Sequence, residues 1–251
     1  MKNINYKSEN IKKYFSTERV IWEEFYPSER KVIQDTITRF DSIDNIEVLD
    51  IGCACGGLGN ALNKKFNISN YTGVEINKQA AEYGEILNND LKIMQGDFLE
   101  ITNKIKENHF DLVFSLSCID WQNNFQLMLE ESWKKVKSGG YFIASFRITD
   151  QKSVNNIKSS YQYINYEKKR SGEIAPYVIF NLNDLLKSII KLNAENIYGY
   201  GYAGVPSSTA ICPYDKLCFS VLAVQKPYLD KKEHPRIDLD FPRQFLECIK
   251  I

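Results

Sequence analysis

The chain of 251 residues is long for one hydrophobic core and short for two, which predicts a single domain with additions. Lys plus Arg and Asp plus Glu number 32 each, so the formal net charge is zero. This balance argues against a general nucleic-acid binder, which normally carries a basic excess. No run approaches the roughly 18–20 apolar residues of a membrane span, so no membrane partner is expected.

The cysteines and histidines argue against a metal centre. None of the six cysteines forms a CxxC pair, and there are two histidines, too few in this arrangement for a four-ligand site. We expect free thiols in a reducing compartment and no metal ion. Met1–Asn10 lacks the apolar stretch of a signal peptide, which predicts a cytoplasmic protein. The excess of Lys over Arg, with abundant Asn and Ile, favours a bacterial source.

Residues 1–45 are predicted to form an N-terminal helical cap or lid. Amphipathic patterns at Ile11–Phe15 and Val32–Phe40 are typical of surface helices. Pro27 marks a break, and Ser28 is a possible N-cap of the second helix.

From residue 46 short β-branched runs alternate with helical patterns, which predicts a mostly parallel sheet with helices on both faces. The predicted strands are Ile46–Ile51, Tyr71–Ile76, Leu91–Met94, Phe110–Ser117, Tyr141–Phe146, Glu195–Tyr202 and Leu217–Gln225. The predicted helices are Gly57–Phe66, Lys78–Leu87, Leu99–Lys106, Gln122–Val136 and Asn181–Leu192. Ser138-Gly139-Gly140 is predicted to end the helix before the fifth strand.

Two polar segments interrupt this rhythm, at residues 148–180 and 203–215. We expect them to be insertions on the acceptor side of a domain that spans residues 46–226. Residues 227–251 are polar and contain proline, so they are predicted to form a tail that ends in a short helix.

The sharpest motif runs from Val48 to Gly57 and reads VLDIGCACGG. It lies where a strand turns into a helix, the place where open α/β sheets bind ligands. Glycines there let the backbone approach a ligand, and the helix N-terminus offers free N–H groups. The dinucleotide fingerprint GxGxxG fails, because its second glycine falls on Ala54, and an apolar residue is normal where Asp50 stands.

This stretch resembles the first motif of class I S-adenosylmethionine-dependent methyltransferases, with Ala54 in place of the middle glycine. Glu75 at the end of the second strand, Gly96-Asp97-Phe98, Phe110–Val113 and Val136–Gly140 follow in the order of that family. The resemblance covers about residues 46–226. It implies a Rossmann-like, seven-stranded sheet whose last strand is antiparallel.

The resemblance implies S-adenosyl-L-methionine as cofactor and S-adenosyl-L-homocysteine as product. Glu75 would accept both ribose hydroxyls, and Asp97 would face the adenine amino group. Asp50 is alternatively a loop acceptor, Glu75 a solvated strand end and Asp97 a helix cap. The residues predicted to bind the cofactor are Asp50, Gly52, Cys53, Gly56, Glu75, Ile76, Asp97, Phe98 and Ser115.

The acceptor side is expected at the ends of the fourth and fifth strands. Asp120 is the candidate catalytic residue, as a base or an orienting group, and alternatively caps a helix. His109 precedes the fourth strand and His234 lies in the tail, so neither is an obvious base. The residues predicted to contact substrate are Tyr14, Arg19, Trp22, Trp121, Arg147 and Tyr202; Trp22 and its neighbours alternatively pack against the sheet.

A small-molecule acceptor is the favoured function, possible examples being a sugar, a nucleotide-sugar or a phosphorylated precursor of a bacterial surface polysaccharide. The protein is expected to be a monomer or homodimer. RNA or protein methylation is an alternative that depends on Lys168-Lys169-Arg170 and the nearby tyrosines. A non-catalytic cofactor-binding subunit and an NAD(P) oxidoreductase also stay open. No nucleic-acid partner is expected, and the Asn/Asp-Pro-Pro-aromatic tetrad of amino-methylating nucleic-acid enzymes is absent from the sequence.

Overall fold

A computed structural model describes residues 10–165, 167–228 and 234–250. Residues 1–9 of the predicted cap, and residues 229–233 and 251 of the predicted tail, lie outside this description. Within it, one large mixed sheet is built from strands β1 (Val48–Ile51), β2 (Tyr71–Glu75), β3 (Lys92–Gln95), β4 (Phe110–Ser115), β5 (Val136–Thr149), β9 (Asn196–Gly204), β11 (Leu217–Gln225) and β12 (Arg236–Asp240), with β8 (Phe180–Asn181) beside β5.

The strand order is β12-β9-β11-β5-β4-β1-β2-β3. Strands β1 to β5 run parallel, and β11 pairs antiparallel with both β5 and β9. The predicted Rossmann-like sheet with an antiparallel last strand is therefore confirmed. The sheet is larger than the seven strands predicted, because β8 and β12 add to it.

Alternate residues of the central strands are buried on opposite faces of this sheet, which is why their sequences read as continuous apolar runs. Val48 joins one apolar cluster and Leu49 the other. The first face is covered by α2 (Pro27–Ile37), α3 (Gly57–Phe66) and α4 (Lys78–Leu87), and the second by α5 (Phe98–Ile101), α6 (Phe125–Lys135), α7 (Leu182–Ile190) and α8 (Arg243–Leu246).

The segment Ser138-Gly139-Gly140 does not act as the predicted helix end. Helix α6 already ends at Lys135, and β5 begins at Val136 and includes all three residues. Gly139 has φ +81°, and its N–H donates to the carbonyl of Lys226. The glycines thus accommodate a crossing of the chain at the start of the strand, where a side chain would meet the ring of Tyr228.

The two predicted insertions meet each other. They form a second, three-stranded sheet from β6 (Tyr161–Tyr163), β7 (Ile174–Pro176) and β10 (Ala210–Ile211) in the antiparallel order β10-β6-β7. A small apolar cluster of Tyr177, Ile179, Ala210 and Leu217 lies beneath it.

The predicted tail contributes structure to the large sheet. Strand β12 pairs parallel with β9 from Arg236↔Asn196 to Asp240↔Tyr200. The alternation Ile-Asp-Leu-Asp in residues 237–240 is a strand signal of period two, and its charged residues are typical of an exposed edge. Phe241 and Phe245 follow it into the main core.

The N-terminal segment contains α1 (Asn10–Phe15) and α2, with a 3-10 turn at Trp22–Glu24 between them. The prediction of Ser28 as N-cap is wrong: Tyr26 is the cap residue, and Pro27 occupies the first helical position, where its missing N–H costs nothing. The Glu29 carboxylate, at the third helical position, accepts the N–H of Tyr26 at 2.9 Å. No helix in the described part of the chain is long and apolar enough to cross a membrane.

Phe245→Ala should lower the free energy of unfolding by about 3–5 kcal/mol, because the ring is fully buried and its removal leaves a cavity. Ile86→Ala is the control, since Ile86 is 74% exposed and its truncation should change stability by less than about 0.5 kcal/mol. Urea unfolding of both variants measures the difference. A loss below 1 kcal/mol for Phe245→Ala would show that the C-terminal segment is not docked as described.

Candidate active site

A cavity of about 770 Å³ opens at the carboxyl ends of β1, β2, β4 and β5. Its floor comes from the loops that follow these strands, and the N-terminal segment and the small sheet supply its walls. The volume falls in the range of small-ligand sites. The position is the one that strand topology predicts for a ligand of an open α/β sheet.

The loop after β1 has an unusual backbone, with Gly52, Ala54 and Gly56 all at positive φ (+79°, +49° and +74°). Gly52 and Ala54 line the cavity, and Gly56 is the N-cap of α3 just outside its lining. A side chain at Gly52 would lie 2.6 Å from the sulfur of Cys118. Ala54 adopts the left-handed backbone conformation at a cost of about 1–2 kcal/mol. The loop therefore keeps, with an alanine, the backbone conformation expected for the middle glycine of the motif.

Asp50, at the end of β1, is buried and lines the cavity. The Tyr71 hydroxyl donates to its Oδ2 at 2.6 Å. Burial raises the pKa of Asp50 to about 7, and the hydrogen bond from Tyr71 and the charge of Arg19 oppose this rise. Small changes of pH around neutrality therefore change the charge of Asp50.

Glu75, at the end of β2, is 5% exposed and also lines the cavity. Its two oxygens accept the backbone N–H groups of Ala54 at 2.8 Å and Asn77 at 2.7 Å. Burial raises its pKa, and these backbone bonds work in the opposite direction. A carboxylate has about four acceptor sites, so Glu75 keeps capacity for a further donor.

Cys53 and Ile76, both predicted to bind the cofactor, line the same floor. Cys53 contributes its backbone, whose N–H donates to Val74, while its sulfur occupies the space above Gly73. Burial raises the pKa of this thiol well above its ordinary value, so it is not a nucleophile near neutral pH.

Besides Gly56, three predicted cofactor residues are not brought into the lining. Asp97 caps α5, accepting the Leu99 N–H at 3.0 Å. Phe98 is buried in the core beneath α5. Ser115 is fully buried, and its hydroxyl accepts the Ile119 N–H at 3.1 Å, which shapes the loop after β4.

Trp22, predicted to contact substrate, packs away from the cavity. Its ring lies edge-on to Phe66 at 5.0 Å between centroids, and it belongs to the core on the α3 face. Trp22 therefore packs against the sheet, which was the alternative to substrate contact in the sequence analysis. The physical reason is that a 7% exposed indole stabilises the attachment of the N-terminal segment to α3.

Tyr14 and Arg19 do line the cavity, on the N-terminal wall. Arg19 pairs with Glu29 at 2.9 Å and lies over the rings of Phe25 and Tyr26. Sequence reasoning missed Glu29, which is 1% exposed and lines the cavity. Its position two residues after the helix-starting Pro27 was the available signal.

The acceptor-side prediction brought together Asp120, Trp121 and Arg147, and all three line the cavity. The Arg147 guanidinium donates to the carbonyl of Asp120 at 2.8 Å and lies 3.2 Å from its Oδ2. It stacks on Tyr177 at 3.8 Å and lies over Trp121 at 4.8 Å. Burial raises the pKa of Asp120 to about 6, and Arg147 opposes that rise.

Tyr202 and the small sheet complete the outer wall, where Gln162, Ser207 and Thr209 form one hydrogen-bonded group. The run Lys168-Lys169-Arg170 does not form one basic patch. Lys168 lines the cavity, Lys169 pairs with Glu167, and Arg170 donates to the carbonyl of Ser208. Of these three residues, Lys168 alone lies at the cavity.

A family model described as a methyltransferase domain matches residues 49–144, which include the loop after β1 and strands β2 to β4. This segment of the chain is therefore similar to a methyltransferase domain. The match contains Asp50, Glu75 and Asp120, three carboxyl groups of the cavity.

Known methyltransferases resemble it over parts of its length. A sterol 24-C-methyltransferase of Gibberella zeae is 27% identical over 122 residues, 46% of this chain and 31% of that protein. The chain thus spans about a third of the length of this relative. A malonyl-[acyl-carrier protein] O-methyltransferase of Bacillus cereus is 20% identical over 192 residues, 75% of this chain and 70% of that protein.

Among solved structures, the Haemonchus contortus phosphoethanolamine N-methyltransferase 2 in complex with phosphomonomethylethanolamine and S-adenosylhomocysteine has a similar fold. The TM-score is 0.54 at 15% identity, with 78% of this chain and 52% of that chain covered. At this identity the likeness establishes the fold alone.

Asp50→Asn should stabilise the protein without ligand, by an amount that grows from pH 5 to pH 8. The pKa of Asp50 is raised to about 7, from 3.8 in an unfolded chain, so the folded protein binds the extra proton and loses stability as pH rises through that window. The gain is at most about 4 kcal/mol at pH 8. Thermal unfolding at several pH values measures it, with exposed Asp90→Asn expected to follow the wild type. A gain independent of pH would contradict the raised pKa.

Proposed function

We propose that this protein is an S-adenosylmethionine-dependent methyltransferase that acts on a small molecule. The observation that carries the proposal is that Asp50 and Glu75, at the ends of β1 and β2, line one cavity with Asp120, which follows β4. The first two carboxyl groups suit the cofactor and the third suits an acceptor. The names of relatives that act on sterols and on an acyl-carrier-bound malonyl group support a small acceptor.

The residues fit the cofactor in their chemistry. Glu75 retains acceptor capacity for ribose hydroxyls, and Gly52 lines the cavity without a side chain of its own, so that a ligand can approach the backbone. Asp50 and Arg19 lie on the same lining and offer a buried anion and a mostly buried cation, 12% exposed, for the amino and carboxylate groups of the methionine part. When bound, the cofactor supplies a methyl group that is already activated on a sulfonium.

Because the methyl group is activated, the protein's main tasks are to align the acceptor, exclude water and take up a proton. The two walls of the cavity, from the N-terminal segment and the small sheet, restrict solvent access. Asp120 is the proposed base, since the pKa of about 6 leaves it mostly ionised at neutral pH while still able to hold a proton. Arg147 positions Asp120 rather than the substrate.

We further propose a sugar, a nucleotide-sugar or a phosphorylated precursor of a surface polysaccharide as the acceptor. The hydrogen-bonding wall of Gln162, Ser207 and Thr209, with Tyr163 and Tyr202, suits a hydroxylated ring. Lys168 on the rim is the candidate partner of a phosphate, because the charge of Arg147 is already paired with Asp120. We place the reaction in the cytoplasm and expect a monomer or homodimer.

RNA or protein as acceptor is disfavoured by the balanced charge and by the dispersal of Lys168, Lys169 and Arg170 among separate partners. Strong salt dependence of RNA binding would reopen that possibility. A non-catalytic subunit would bind the cofactor and transfer no methyl group to any acceptor.

Glu75→Gln should weaken binding of S-adenosylmethionine by about 1.5–3 kcal/mol, the scale of lost charged hydrogen bonds. The control is Asp111→Asn, which changes a carboxylate near the amino end of β4 that pairs with Lys137 at 3.0 Å. Isothermal calorimetry of wild type and both variants measures the constants, with NAD(H) as a second ligand. Binding of NAD(H) but not of S-adenosylmethionine would sink the proposal.

The pH dependence of methyl transfer tests Asp120. Its ionised form is the base, so kcat/KM should rise with pH through about 6 and level above pH 7. Tritiated S-adenosylmethionine and a panel of methyl glycosides, nucleotide-sugars and sugar phosphates provide the assay. Asp120→Asn should lose 10²–10⁴-fold in rate, roughly the contribution of a positioned base, and should lose the rising limb. If kcat/KM of Asp120→Asn still rose with pH near 6, another group would be the base.

A further inference from the structure

Two consecutive residues at the proposed acceptor end of the cavity, Asp120 and Trp121, each carry a polar side-chain atom without a hydrogen-bond partner. Among the described residues, three side-chain nitrogen or oxygen atoms are buried without a hydrogen bond: Arg30 Nε, Asp120 Oδ1 and Trp121 Nε1. Arg30 does not line the cavity, whereas Asp120 and Trp121 both do. Buried polar atoms are nearly always paired, so two consecutive exceptions at a ligand cavity call for a ligand.

The two atoms have opposite hydrogen-bonding character. Asp120 Oδ1 accepts and the Trp121 indole N–H donates. Asp120 and Trp121 belong to one 3-10 turn, Ile119–Trp121, that follows β4. A ligand that satisfies both must therefore offer a donor and an acceptor.

The surrounding contacts hold this pair in place and leave those atoms free. The other carboxylate oxygen of Asp120 lies 3.2 Å from Arg147, and the carbonyl of Asp120 accepts from Arg147 and from the Val178 N–H at 3.0 Å. Arg147 is itself fixed against the rings of Tyr177 and Trp121. The turn is thus tied to β5 and to the segment around Val178.

We propose that the methylated group is a hydroxyl, whose proton is donated to Asp120 Oδ1 while the Trp121 N–H donates to that oxygen or to a neighbouring one. This inference rests on the proposed function and names its acceptor class: a neutral hydroxylated molecule that becomes a methyl ether. A hydroxyl oxygen has two lone pairs, so one can attack the methyl group while the other accepts from the indole N–H. A neutral amine has a single lone pair, which the attack uses, and a carboxylate has no proton for Asp120. A vicinal diol, as in a sugar, satisfies both atoms with adjacent oxygens.

The step balances as a nucleophilic substitution. The hydroxyl oxygen forms a bond to the methyl carbon, and the bond between that carbon and sulfur breaks, with its electron pair staying on sulfur. The O–H proton passes to Asp120 Oδ1 and leaves to solvent when the product does. The products are a methyl ether, S-adenosylhomocysteine and a proton, and no other reactant is needed.

The first test detects the Trp121 N–H directly, in protein labelled with ¹⁵N-tryptophan and saturated with S-adenosylhomocysteine. Trp121→Phe and Trp133→Phe assign the indole signals of Trp22, Trp121 and Trp133. Probes are phenol and methyl α-D-glucopyranoside, each compared with its full methyl ether, which cannot donate to Asp120. We expect at least one hydroxylated probe to move the Trp121 signal, its ether to move it less, and Asp120→Asn to remove the difference.

The second test uses transfer. Trp121→Phe keeps the ring and removes the N–H, so kcat/KM for a hydroxylated acceptor should fall about three- to tenfold, the effect of one hydrogen bond. Trp133→Phe, in the core on α6, is the matched control and should leave kcat/KM unchanged. Mass spectrometry should locate the methyl group on oxygen.

The outcomes separate the two proposals. If S-adenosylhomocysteine binds but no hydroxylated probe moves the Trp121 signal, or if ether and alcohol act alike, the hydroxyl assignment is overturned while the cofactor site stands. Transfer to nitrogen or to a carboxylate overturns it as well. If S-adenosylhomocysteine does not bind to the wild type, the proposed function itself fails.

Discussion

Besides Glu29, which pairs with Arg19, three carboxyl groups, Asp50, Glu75 and Asp120, are buried around one cavity, and this electrostatic constraint governs the surrounding structure. Burial raises the pKa of each group, so each requires compensation. The compensation differs: a tyrosine hydroxyl for Asp50, backbone N–H groups for Glu75 and a guanidinium for Asp120. These differences leave Asp50 and Asp120 titrating near neutral pH, which suits binding and proton transfer better than structural pairing.

The additions to the domain supply or hold these compensating groups. Arg19 in the N-terminal segment opposes the raised pKa of Asp50 and is fixed by Glu29 on α2. The carbonyl of Arg19 lies where a side chain at Gly57 would be, so this segment packs directly on the start of α3. On the other side, Arg147 ties the Asp120 turn to Tyr177 beneath the small sheet. Cap and insertions therefore form parts of the site as well as its walls.

The shared cavity gives one account of cofactor and acceptor binding. The proposed cofactor side consists of strand ends and backbone, which the parallel sheet holds in place. The proposed acceptor side includes the turn Ile119–Trp121, whose free hydrogen-bonding atoms are held in place by contacts from β5 and the segment around Val178. Specificity at such a site is expected to change through the insertions without change to the cofactor floor.

The sequence by itself determined the parallel sheet, its order of elements and the loop after β1, because apolar periodicity and glycine positions are local signals. It also pointed to Asp50, Glu75 and Asp120, which lie at or just beyond the carboxyl ends of strands and which the structure brings to one cavity. The tertiary structure alone decided that Trp22 packs in the core, that Asp97 and Ser115 stay outside the cavity lining, and that Glu29 enters it. It likewise decided that the two insertions join in one sheet and that residues 236–240 extend the large one. These outcomes depend on contacts between residues distant in the chain, such as the Arg147–Asp120 pair and the β12–β9 register, and no local pattern specifies which distant partner a side chain or strand will meet.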